Sequence, residues 1–123
     1  MWRDLVENGV IQSFRHISLT EIRVVTNNFH ELLVIGQSVD TKVYRGHINH
    51  GNIVVAIKRW KEGTSRERNL DQFRVELQVH YYLSHPHIVS LIGYCIDKHE
   101  VILVYEYMAH GSLYNHLNET NKC

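Results

Sequence analysis

Two β-prone runs joined by a short polar turn constrain this chain more than any other feature. Lys42 to Ile48 reads as one strand, Asn49-His50-Gly51-Asn52 is a hairpin signal, and the β-branched run Ile53 to Trp60 reads as its antiparallel partner. Around this hairpin the hydrophobic period switches repeatedly. Ser18-Leu19-Thr20-Glu21 is a capping box, after which Ile22, Val25 and Phe29 recur at helical spacing, so a short helix is expected over 19–27. Leu32 to Ile35 is a short strand and Gly36 to Thr41 a polar turn. Lys61 to Asn69 is charged and loop-like, whereas Leu70, Phe73, Leu77 and Leu83 mark one stripe of a longer helix over 70–83, stopped by Pro86. Ile88 to Ile96 and Val101 to Tyr105 are two further strands around Asp97-Lys98-His99-Glu100, and Gly111-Ser112 opens a short last helix to about Leu117. The order of elements predicts an α+β fold with a five-stranded antiparallel sheet and one main packed helix.

Composition narrows the function classes. The chain has 123 residues, enough for one domain with a core, and 44% apolar with 21% charged residues is ordinary for a globular domain rather than a disordered one. Thirteen basic residues balance thirteen acidic ones, which argues against a dedicated nucleic-acid binder. The 10 histidines should make the chain cationic in mild acid. Two cysteines, Cys95 in an apolar run and Cys123 at the last position, suit a reducing compartment better than a disulfide. No stretch approaches the roughly 18 to 20 apolar residues that span a bilayer, so a cytoplasmic location is expected. Residues 1–17 show no clean period and read as a weakly structured leader, with the domain proper over 18–123.

The chemistry-bearing residues lie on the second strand of the hairpin and on the helix after it. Side chains alternate along a strand, so Val55-Ala56-Ile57-Lys58 puts Ala56 and Lys58 on one face. A small residue two positions before a lysine leaves room for a flat ring while the ammonium reaches past it to a phosphate. Glu76 shares a helix face with Phe73, Leu77 and His80, so it points inward, where a carboxylate needs a cation. Lys58 is its expected partner, although any buried strand can end in a snorkelling lysine.

Further segments make the pattern specific. Ile35-Gly36, Val43, Val55-Ala56-Ile57-Lys58, Glu76, His85-Pro86-His87-Ile88-Val89 and Leu103-Val104-Tyr105-Glu106-Tyr107-Met108 follow one another in the order and spacing of a protein kinase. Thr20-Glu21-Ile22, Thr26-Asn27-Asn28-Phe29, Leu91-Ile92-Gly93-Tyr94-Cys95 and Gly111-Ser112-Leu113 resemble plant receptor-like serine/threonine kinases. The resemblance covers about residues 18 to 117 and implies the amino-terminal lobe of a kinase domain. It implies that Lys58 holds the α- and β-phosphates of ATP, oriented by Glu76. Ile35, Gly36, Val43 and Ala56 would surround the nucleotide, with Tyr105 as gatekeeper. The Glu106 carbonyl and Met108 amide would meet the adenine edge, and Ser112 would lie near the ribose. A complete parent would be a plasma-membrane receptor carrying this lobe on its cytoplasmic side.

The sequence also departs from the family. The phosphate-covering loop should read G-x-G-x-x-G-x-V, and here Gly36-Gln37-Ser38-Val39-Asp40-Thr41-Lys42-Val43 keeps one of the three glycines. Residues other than glycine pay about 1–2 kcal/mol for left-handed conformations, and Asp40 would face the triphosphate with like charge. His80 stands where the family usually has Leu or Met. No His-Arg-Asp loop and no Asp-Phe-Gly motif occur, so Mg²⁺ would be held only with a second lobe, ATP binding would be weak, and this chain alone would be inactive. Three readings follow: a fragment of a receptor-like kinase, a pseudokinase-type module that docks on another kinase or on a second lobe, or a non-functional remnant. Of the other candidates, His85 and His87 read as a turn rather than a metal site, and His47 and His50 as exposed polar residues. Cys95 reads as a small core residue, and Tyr81 and Tyr82 as helix packing.

Overall fold

The computed structural model describes residues 9–82 and 90–107. Six strands form one sheet: β1 (Arg15–His16), β2 (Val34–Gln37), β3 (Thr41–Ile48), β4 (Ile53–Trp60), β5 (Leu91–Ile96) and β6 (Val101–Glu106). Their spatial order is β1-β5-β6-β4-β3-β2. All pairings are antiparallel except β1 with β5. The expected α+β class holds, and the sheet gains a strand over the five expected.

The additional strand comes from the segment read as a weakly structured leader. Arg15 and His16 pair with Gly93 and Tyr94, and the Ile17 amide donates to the Tyr94 carbonyl at 2.9 Å. Gly93 permits this approach, because a Cβ there would meet the Arg15 carbonyl oxygen at 2.3 Å. Val10, Ile11 and Ile17 are buried as well. A two-residue strand is too short to show alternation, so hydrophobic period could not announce it.

Among the described residues, two α-helices flank the sheet. Helix α1 (Leu19–Val25) is capped by Ser18, whose hydroxyl accepts from the Glu21 amide at 3.1 Å. It ends two residues before the expected limit because Thr26 takes over. The Thr26 hydroxyl donates to the Ile22 carbonyl at 2.7 Å and accepts from the Phe29 amide at 3.0 Å. Asn27, Asn28 and Phe29 then turn through left-handed conformations, which Asn tolerates well and Phe does not. Helix α2 (Arg66–Tyr82) starts four residues earlier than its apolar stripe suggests. Ser65 accepts from the Arg68 amide at 3.3 Å, and the charged first turn carries no hydrophobic period to read. The end expected at Leu83, the stop at Pro86, the strand residues Ile88 and Val89, and the helix from Gly111 lie outside the described residues.

The two sheet faces bury separate clusters. On one, Val43, Ala56, Trp60, Leu103 and Tyr105 pack with Phe73 and Leu77 of α2 and with Val10 and Ile11. On the other, Tyr44, Val55, Ile57, Ile102 and Val104 pack with Ile22 of α1 and with Ile17. Strand alternation therefore sends Ala56 and Lys58 to the α2 face, as the sequence requires.

Candidate functional site

Lys58 sits in mid-sheet, opposite Val43 on β3 and Leu103 on β6. Its ammonium is buried and lies 2.8 Å from Oε1 of Glu76 on α2, so the expected ion pair is formed. The Trp60 ring, two residues further along the same face, lies 5.5 Å from the ammonium. Trp60 Nε1 also donates to Gln72 Oε1 at 2.8 Å, which ties β4 to α2 one turn before Glu76. This second tether was not expected from the sequence. An aromatic at a strand end gives no sign of the helix residue that will accept from it.

Ala56 lies opposite Tyr105 and Gly36 opposite Val43. Val43, Ala56 and Tyr105 are buried in one cluster, against which the half-buried Ile35 packs. These four side chains and Lys58 therefore occupy one region of the α2 face. Glu106 ends β6 opposite Val55, and its amide donates to the Ser90 carbonyl at 2.9 Å. Met108 and Ser112 fall outside the described residues.

Tyr105 does more than close the back of this region. Its hydroxyl donates to Oε2 of Glu76, the carboxylate oxygen that Lys58 does not use. Burial, followed by the Glu76 charge and this hydrogen bond, pushes the phenol well above its ordinary range, so it stays protonated and donating. His80, one turn beyond Glu76, packs edge-on to the Tyr105 ring at 5.3 Å. Burial is the main reason its imidazole is held below the ordinary value near 6.5.

The loop between β2 and β3 is arranged differently from expectation. None of Ser38, Val39, Asp40 and Thr41 adopts a positive φ, so the backbone avoids the left-handed cost. The Ser38 amide donates to the Thr41 carbonyl at 2.8 Å, and the Thr41 amide to the Ser38 hydroxyl at 3.2 Å. The two hydroxyls lie 2.8 Å apart in a further hydrogen bond. Asp40 Oδ2 accepts from Arg68 in the first turn of α2 at 2.9 Å. Ser and Thr three positions apart are a local turn signal, so this closure was in principle legible.

The opposite face holds a part-buried bidentate pair. Arg59 donates from Nε at 2.8 Å and Nη2 at 2.6 Å to the two oxygens of Glu100, with the Phe29 ring stacked 3.7 Å from its guanidinium. A cavity of about 460 Å³ opens there beside Phe29, Tyr44, Lys42 and Arg59, away from the Lys58 face. Two of its cations are already engaged, Arg59 by Glu100 and Lys42 by Glu31. His47 and His50 are exposed, and Cys95 is a buried core residue.

A sheet crossed by one long helix, with a strand lysine paired to a helix glutamate, defines the amino-terminal lobe of a protein kinase. Residues 29–123 match the family described as protein tyrosine and serine/threonine kinase, and the chain belongs to it. It is 46% identical over 106 residues to the receptor-like protein kinase FERONIA of Arabidopsis thaliana, a match covering 86% of this chain and 12% of that protein. It is 44% identical over 108 residues to the receptor-like protein kinase ANXUR1 of the same plant, covering 88% of this chain and 12% of the relative. Among solved structures, the apo GRMZM2G135359 pseudokinase superposes with a TM-score of 0.63 at 22% identity, over 78% of this chain and 37% of that one. That likeness concerns the fold. The chain thus spans about an eighth of the length of the curated relatives it matches.

Proposed function

We propose that this chain is the nucleotide-facing lobe of a receptor-like serine/threonine kinase, lying on the cytoplasmic side of a membrane receptor. The observation that carries the reading is the Lys58–Glu76 pair, formed at 2.8 Å beside Val43, Ala56 and Tyr105. An adenine ring lodged against Ile35, Val43 and Ala56 would stand near the Glu106 carbonyl, and Glu76 would aim the Lys58 ammonium at the α- and β-phosphates. ATP supplies the transferable phosphoryl group. The residues here would bind and orient it without providing a carboxylate to position the acceptor hydroxyl or ligate Mg²⁺. The 123 residues alone should therefore hold ATP weakly, in the high micromolar range or poorer as an order of magnitude, and transfer nothing. The experiment is a phosphoryl-transfer assay with ATP and Mg²⁺, run beside calorimetric ATP titration. Heat of ATP binding with no turnover is the expected result, and turnover above the Lys58→Ala background would refute the inactive reading.

A second reading, a pseudokinase-type module that docks on another kinase or on a second lobe, draws on the outward face of α2. Val75, Val79 and Tyr82 stand there 49%, 40% and 66% exposed, at spacings that align them on one side of the helix. Exposed apolar stripes of this kind suit protein contacts. Concentration-dependent self-association, lost in Val75→Ser with Val79→Ser, would favour it. A monomer at tens of micromolar would count against it.

A further inference from the structure

The nucleotide reading expects the β2–β3 loop to cover phosphates, and the loop geometry does not fit that task. A phosphate-binding loop works by leaving backbone amides free to point at the anion, which is why glycines without Cβ are used there. In this chain the Ser38 amide is taken by the Thr41 carbonyl and the Thr41 amide by the Ser38 hydroxyl. The two hydroxyls satisfy each other. The loop is also pinned from outside. Lys61 donates its ammonium to the Ser38 carbonyl at 2.7 Å and its amide to the Asp40 carbonyl at 2.8 Å, while Asp40 pairs with Arg68.

These contacts differ in weight. Arg68 is largely exposed, so its pair with Asp40 is screened and contributes little by itself. Thr41 is 4% exposed, so breaking its bonds would leave polar atoms away from water. A triphosphate would find the Ser38 and Thr41 amides already bonded, with only those of Val39 and Asp40 left at the loop tip, and would meet the Asp40 carboxylate there. An adenine ring does not call on these loop amides, because Ile35, Val43 and Ala56, the side chains implied to hold it, cluster on the sheet face. We infer that this site takes an uncharged adenosine-like nucleoside in preference to the triphosphate, and that Ser38, Asp40 and Thr41 set this preference by keeping the loop closed. The inference rests on the adenine-site reading above.

The test titrates the whole chain with adenosine and with ATP, with and without Mg²⁺, and follows amide hydrogen exchange. Adenosine should bind at least as tightly as ATP, and the Ser38 and Thr41 amides should exchange slowly in the free chain. Ser38→Gly should tighten ATP about tenfold while adenosine stays within about twofold, since the closure opposes only the phosphates. Asp40→Asn, on the exposed pair and without folding risk, should favour ATP by about twofold to threefold. ATP binding tenfold tighter than adenosine to the unmodified chain would overturn the preference while leaving the nucleotide site standing. Unprotected exchange at Ser38 and Thr41 would overturn the closed loop. Failure of both ligands to bind would overturn the nucleotide-site reading and the preference with it.

Discussion

Lys58 and Tyr105 divide the Glu76 carboxylate between them, one oxygen each. The sequence points to the lysine, and the tyrosine is a second anchor that holds the glutamate side chain whether or not the lysine is present. Removing the lysine therefore leaves a carboxylate with a donor, whereas removing the glutamate charge leaves a buried ammonium without its counter-charge.

An order of stabilities follows. Tyr105→Phe loses one hydrogen bond to a charged group and should cost about 2 kcal/mol. Glu76→Gln leaves the Lys58 charge uncompensated and should cost more, about 3 kcal/mol, at the low end of the range for buried pairs because Glu76 is 21% exposed. Urea unfolding of the two variants checks the order, and a larger loss for Tyr105→Phe would contradict it.

His80 should give the fold a pH dependence of its own. Burial lowers its folded value below the ordinary 6.5, with Lys58 acting in the same direction and Glu76 opposing. The unfolded chain thus binds a proton that the folded chain resists, so stability is complete above the unfolded value and falls as pH drops through about 6.5 toward the folded value. Because the chain holds ten histidines, the measurement is a difference. Melting of the wild type minus His80→Leu, between pH 8 and pH 5, should show the wild type losing more on acidification. Parallel curves would remove His80 as the cause.

Much of this architecture was legible, and the legible parts share a cause. β4 runs from Ile53 to Trp60 as the sequence predicts, because a β-branched run between a hairpin turn and a charged loop leaves little choice. Lys58, Glu76, Val43 and Ala56 converge because strand parity and helix spacing fix which face each one takes. The first turn of α2 and strand β1 were missed because polar or very short segments carry no period. The Tyr105–Glu76 and Trp60–Gln72 bonds join residues 29 and 12 positions apart, and only the packed sheet and helix bring those atoms within reach.

Gly93 is where the short strand β1 depends on the absence of a side chain. A Cβ would lie 2.3 Å from the Arg15 carbonyl oxygen and 3.0 Å from Ile17 Cδ1, and the nearer neighbour is backbone that cannot swing aside. Gly93→Ala should therefore detach β1 and cost about 1–3 kcal/mol, in the range of overpacked cores. The Ile17 amide, bonded to Tyr94, should lose its exchange protection, while β3 and β4 keep theirs. Retained protection at Ile17 would show that the strand accommodates the methyl group.

Arg59 offers a test on the opposite face, with Cys95 as the reporter. Both charged ends of the Arg59–Glu100 pair are partly or fully withdrawn from water, and the guanidinium uses two donors and its flat face at once. A lysine supplies one point charge, fills one oxygen and cannot stack on Phe29 as a plane. Arg59 pairs in register with Ile102, which pairs in turn with Cys95, so loosening this end of the sheet should expose the thiol. In the folded chain Cys95 is 2% exposed, and burial, helped by the charges of Asp97 and Glu100, pushes its thiol up to about 11. At pH 8 it is therefore both hidden and protonated, and alkylation must wait for local opening. In a Cys123→Ser background, Arg59→Lys should speed Cys95 alkylation by iodoacetamide about tenfold, the equivalent of about 1.4 kcal/mol of opening free energy. An unchanged rate would mean that the pair contributes no more than a single exposed ion pair, and that the Ile102 and Val104 cluster alone keeps this edge closed.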